Sequence, residues 1–127
     1  MTDSTASQKE IDLVGGRPRA DVEQAYGALE ASAGAAQSQT QFSRGALTGY
    51  VWALGRATAA PVTGADSHGA PDLLLLTSEV DAALVQLADQ SLRTVPRDYI
   101  RGVHDAIAWV CGYSDDLPSG ETTAGTT

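Results

Sequence analysis

Apolar positions along this chain fall at helical spacing. Val22, Tyr26 and Leu29 stand at i, i+4 and i+7, and Val80, Leu84 and Leu87 repeat that spacing in the second half. Residues so placed share one face of a helix. Alanine, the best helix former, dominates, and the β-branched residues never alternate over the length of a strand. The pattern predicts four helices, roughly 21–33, 41–55, 78–93 and 97–112. Asp21 with Gln24, and Ser78 with Asp81, are the expected N-terminal capping pairs, and Gly34 the expected end of the first helix. The run Leu73–Leu76, with Pro71 just before it, can extend the third helix backwards. Between the halves, Ala57–Ala70 (ATAAPVTGADSHGA) carries the proline and glycine punctuation of a connector.

Within this pattern the chain repeats itself. The stretch Phe42-Ser43-Arg44-Gly45-Ala46-Leu47-Thr48-Gly49-Tyr50-Val51-Trp52-Ala53-Leu54-Gly55 aligns without a gap on Tyr99-Ile100-Arg101-Gly102-Val103-His104-Asp105-Ala106-Ile107-Ala108-Trp109-Val110-Cys111-Gly112. Arg-Gly, the tryptophan and the closing glycine are identical, aromatic meets aromatic at the first position, and Gly49 meets Ala106. Each copy is followed by a proline, Pro61 or Pro118, and then a glycine, Gly64 or Gly120. The chain has two tryptophans, so a match that puts both at one position points to internal duplication. The expected fold class is all-α: a compact four-helix bundle built from two duplicated helix-hairpin units, with disordered termini. Segments 1–19 and 118–127 are expected to be disordered, because Ser, Thr, Gly and charge without period cannot offset the entropy of ordering. The single helical domain is expected over 20–117, with repeat 1 about 20–56, the connector 57–71 and repeat 2 about 72–117.

The repeated motif has a physical reading. On a helix, Gly45, Gly49 and Trp52 form one stripe, as do Gly102, Ala106 and Trp109. Small residues one turn apart let a second helix approach closely, so the second and fourth helices are expected to pack on each other about a pseudo-two-fold axis. A glycine inside a helix costs about 1 kcal/mol relative to alanine, which close packing must offset. Gly55 and Gly112 read as C-terminal caps. Arg44 and Arg101 lie off the stripe; Arg101 is four residues before Asp105 and is expected to pair with it, whereas Arg44 faces Thr48.

Composition then narrows the function classes. A chain of 127 residues, 43% hydrophobic, supports one domain with its own core. A formal charge of −8, a sequence pI near 4.4 and a single lysine exclude direct, non-specific binding to nucleic acid or to anionic membrane. No run approaches the ~20 apolar residues of a membrane span, and the polar start MTDSTASQKE has no secretory h-region. One cysteine, Cys111, excludes an internal disulfide and suits a reducing, cytoplasmic compartment. Alanine richness with arginine over lysine fits a GC-rich genome, such as that of an actinobacterium or its phage.

Reactive chemistry is sparse. His104 and Cys111 lie two helical turns apart, too far for one ion without further ligands, and His68 lies in the connector. Cys111 stands where the first copy has Leu54, a core-type position. Phosphate-loop, dinucleotide and nucleophile-elbow motifs are missing, and Gly15-Gly16-Arg17 is too short to cradle phosphate. No catalytic, cofactor or metal residue is expected. The second helix, with Leu47, Tyr50, Val51 and Leu54 around a wide arc, is apolar nearly all round outside Arg44 and Thr48, whereas the fourth keeps a polar back. The expected function is therefore a non-enzymatic adaptor or assembly protein, self-associating through that second helix. The alternative is an acidic inhibitor or regulator that docks Asp98, Asp105, Asp115 and Asp116 on the basic surface of a nucleic-acid-binding protein. A third reading gives Trp52, Trp109 and the motif arginines a small ligand.

Overall fold

The computed structural model describes residues 13–33, 40–66, 69–92 and 95–114. The chain is mostly helical. A two-stranded hairpin of β1 (Leu13–Val14) and β2 (Arg17–Pro18) leads into α1 (Arg19–Ala33), followed by α2 (Gln41–Ala53), α3 (Leu73–Ala88), a 3-10 turn at Gln90–Leu92, and α4 (Arg97–Cys111). The expected cap Gly34, the connector His68, Asp115, Asp116 and segment 118–127 lie outside the described residues.

The hairpin corrects the expectation of disorder over 1–19 as far as Leu13–Arg19 is concerned. Leu13 pairs with Pro18 and Val14 with Arg17 around Gly15-Gly16. Gly15 takes φ +63°, which a two-residue turn requires at its first central position and glycine adopts without steric cost. Pro18 then fixes the backbone as the chain turns straight into α1. Asp21 and Gln24 therefore lie inside the helix rather than at its cap.

The third helix starts five residues earlier than the periodicity placed it. Asp72 is its N-cap and accepts a hydrogen bond from the Leu75 amide at 2.9 Å. Ser78 is interior and donates back to the Leu74 carbonyl at 2.9 Å. At α2 the cap is Thr40, whose Oγ1 accepts from the Ser43 amide at 3.0 Å. The two motif helices end alike. Gly55 and Gly112 have φ of +81° and +88°. In α2 the Gly55 amide donates to Trp52 O and the Arg56 amide to Val51 O; in α4 Gly112 donates to Trp109 O and Tyr113 to Ala108 O. Each pair satisfies last-turn carbonyls that a helix would otherwise leave orphaned.

At the centre α2 packs on α4. The first helix α1 lies mainly against α2 and the hairpin, and α3 lies against α4. The core contains Val22 from α1, Tyr50 and Trp52 from α2, Leu76 and Val80 from α3, and Val103, Ile107 and Val110 from α4, with Val14 of the hairpin closing one end. Connector residues fold onto this core through buried Ala60 and Pro71, held locally by an isolated bridge between Ala59 and Asp66.

Candidate interaction faces

The crossing of α2 and α4 is reciprocal. A Cβ on Gly45 would strike the carbonyl of Tyr99, and one on Gly102 would strike the carbonyl of Phe42. Phe42 and Tyr99 align in the two matching stretches of sequence, as do Gly45 and Gly102. A turn further on, Gly49 faces its own counterpart, with a Cβ placed there lying 3.3 Å from the Ala106 methyl. Successive levels advance in one direction along both helices, so α2 and α4 run past each other in the same sense. Beyond them Tyr50 meets Trp109 edge to face, 6.2 Å between ring centroids. Tyr99 donates to Thr48 Oγ1 at 2.9 Å across the same interface.

This geometry assigns the motif residues. Trp52 and Trp109 are buried, so the tryptophans are core rather than an open ligand platform. Arg44 is exposed. Arg101 lies over the Phe42 ring, 5.1 Å from its centroid, and pairs with Asp98 at 3.6 Å. The expected partner Asp105 instead meets His104 Nδ1 at 2.9 Å. The correction follows from helix geometry, since side chains lean toward the N-terminus and Asp98 lies on that side of Arg101.

The sequence reading missed a clamp on the end of α4. Gly16 donates its amide to Val110 O at 2.9 Å, and Arg17 donates through Nε to Trp109 O at 2.6 Å and through Nη2 to Ser114 O at 2.7 Å. The guanidinium also lies 4.2 Å from the Trp109 ring centroid. A cation at a helix C-terminus complements the macrodipole, and one over an indole adds roughly 0.5–2 kcal/mol. Gly15-Gly16-Arg17 is thus a structural clasp. A hairpin signal was present in Gly-Gly between short apolar ends, but its docking site is far away in the chain.

A second omission is Glu79. It belongs by sequence to the acidic residues of the third helix, yet it is only 3% exposed. Its Oε1 accepts from the Val62 amide at 2.7 Å, and Oε2 accepts from Thr63 Oγ1 at 2.6 Å. A buried carboxylate so bonded ties the connector to α3 instead of facing solvent.

Of the four residues expected to form a self-association face, two lie in the core. Tyr50 is 1% and Leu54 4% exposed, both in the core, while Leu47 and Val51 are half-buried. The second helix is apolar all round because α1 covers one side and α4 another. Among the four helices the large exposed apolar side chains lie instead on α3, while Leu13, Leu92, Val95 and Tyr113 are exposed outside the helices. Leu74 is 72%, Val85 55% and Leu84 49% exposed, with Leu73 and Leu75 beside them. Leu74, Ser78, Asp81 and Val85 form one stripe at i, i+4, i+7 and i+11, directly opposite the buried Leu76, Val80 and Ala83.

Asp98 and Asp105 are on α4, paired as above. Among the described residues no group of three or more His, Cys, Asp or Glu is placed to hold a metal ion. Burial pushes the Cys111 thiol up from 9.0 to about 11, so near neutral pH it is a protonated core group. Burial likewise raises the Tyr50 hydroxyl well above its ordinary range. No helix among the described residues is long and apolar enough to cross a membrane. Comparisons with protein-family models, with curated proteins and with solved structures found no match to the chain.

Proposed function

We propose that this chain is a non-enzymatic protein–protein interaction module, an adaptor or assembly component that docks through the outer face of α3. The observation that carries the reading is the exposure of Leu74, Leu84 and Val85 on a helix that already buries its opposite side. Single exposed leucines are ordinary, but a helix apolar on both faces is suited to two sets of neighbours. The docking face is placed on α3 rather than α2 because Tyr50 and Leu54 belong to the core. The excess of acid and the single protonated thiol fit a cytoplasmic setting.

The two helix pairs are read as diverged copies of one helix-hairpin unit, joined into a small bundle by the α2–α4 crossing. Support comes from the reciprocal contacts of Gly45 and Gly102 and from the matched helix ends at Gly55 and Gly112. The alternative of an acidic inhibitor on a basic, nucleic-acid-binding partner is weaker, because Asp98 and Asp105 already have partners within α4.

The test is affinity capture from the native host with the natural chain and with Leu74→Glu/Val85→Glu. Proteins retained by the first and lost from the second, at an unchanged melting temperature, are the expected result. Identical captured sets would overturn the assignment of α3.

A further inference from the structure

The outer stripe of α3 is apolar at both ends and acidic in the middle. Leu74 and Val85 stand at the ends, and Ser78 with the exposed Asp81 stands between them. From Leu73 to Leu92 the sequence contains no lysine or arginine, and exposed Asp72 and Asp89 bracket α3. Resting on the interaction reading above, we propose that the occupant of this face is an amphipathic helix of another protein that carries a lysine or arginine within its apolar stripe, opposite Asp81.

A second copy of this chain is the obvious competitor, and its geometry is unfavourable. Asp81 lies near the midpoint of α3. A two-fold antiparallel pairing would set Leu74 against Val85 and bring both Asp81 carboxylates to the centre of the contact. A parallel pairing would set them directly opposite one another. Each chain also carries a formal charge of −8, so self-association has to work against like charge at long range and at the interface. A cation in the partner reverses the sign of the central interaction. It then acts as a buried polar residue does in a coiled coil, fixing register and rejecting uncharged or acidic competitors. The leucines provide the area, and Asp81 chooses the partner.

The test uses three helical peptides, each with leucines at i, i+3 and i+11, and with Lys, Gln or Glu at i+7. Binding to the full chain is followed by fluorescence anisotropy, and light scattering gives the mass of the chain alone. The Lys peptide is expected to bind at least about tenfold more tightly than the Glu peptide, with affinity falling as salt rises. Asp81→Lys is expected to invert that order, which a residue with a merely structural role would not do. Leu74→Glu/Val85→Glu is expected to abolish binding of all three. Equal affinity for the three peptides, or failure of the Lys peptide to bind, would overturn the proposal. A dimer of the natural chain that becomes monomeric in Leu74→Glu/Val85→Glu would also overturn it, while leaving α3 as the docking face. Loss of the α3 reading itself is recognised separately, by unchanged capture in the preceding experiment.

Discussion

The first and third helices of this fold have matching inner faces and contrasting outer ones. In α1, Val22 and Ala25 are buried and Leu29 half-buried; in α3, the corresponding Val80, Ala83 and Leu87 are buried, buried and half-buried. Outside, α1 presents Glu23, Gly27 and Glu30, where α3 presents Asp81, Val85 and Ala88. The residues before the shared valine diverge as well, Asp21 facing solvent and Glu79 lying buried against the connector. Packing onto the central helices constrains only the inner positions. The outer ones are not so constrained, and in α3 Val85 and Ala88 stand where α1 has Gly27 and Glu30, an apolar exposure that core stability does not require.

The largest effect expected in testing this contrast is at the crossing that both halves share. Gly45→Ala and Gly102→Ala each place a Cβ against a backbone carbonyl that cannot rotate away. Each should lower unfolding stability in urea by at least about 3 kcal/mol, although alanine is the better helix former. Gly49→Ala meets the Ala106 methyl and Ile107 Cγ1 at 3.3 Å and the Val103 carbonyl at 3.4 Å, contacts relieved by shifts of a few tenths of an ångström, and a much smaller loss is expected there. Next comes the divergent acidic pair. Glu79→Ala leaves the Val62 amide and the Thr63 hydroxyl without their acceptor and should cost about 2–3 kcal/mol, whereas Asp21→Ala on the exposed side should change stability by less than about 0.5 kcal/mol.

Alkaline pH separates the halves through Cys111, which aligns in sequence with Leu54. The folded thiol keeps its proton to about pH 11, while the unfolded thiol loses it near 9.0. Between those values the folded state binds more protons, so stability falls as pH rises from about 9 to 11. Below about pH 9 this contribution is fully present. Buried Tyr50 adds a loss of the same sign from about pH 10 upward, because its folded pKa is also raised. Cys111→Ala should remove the earlier part of the decline in chemical-denaturation curves measured against pH. A small gain rather than a loss is expected at Gly27 in α1, where a Cβ meets nothing within 4 Å. Gly27→Ala should raise stability by up to about 1 kcal/mol.

Much of the central pair was legible in the sequence. The Gly45/Gly102 stripe, the matched caps at Gly55 and Gly112 and the duplicated tryptophans all depend on short-range spacing, which sequence displays directly. What was hidden depends on contacts distant along the chain. Arg17 looks like part of a polar leader until the end of α4 supplies its acceptors. Glu79 looks like one more surface acid until the connector folds over it. The apolar circumference of α2 was visible, but sequence alone does not distinguish a central helix from an exposed docking helix; burial of Tyr50 and Leu54 makes it central. The leucines at the start of α3 fit a helix by spacing, but which of them face outward depends on α4, against which Leu76 and Val80 are buried.

Gly27 and Val85 occupy equivalent outer positions, and a photo-crosslinking amino acid placed at each in turn tests the contrast most directly. Irradiation in the native host should give a protein adduct from position 85 and none from position 27. Equal adducts at the two positions, or none at 85, would contradict the view that the third helix carries a docking face that the first lacks.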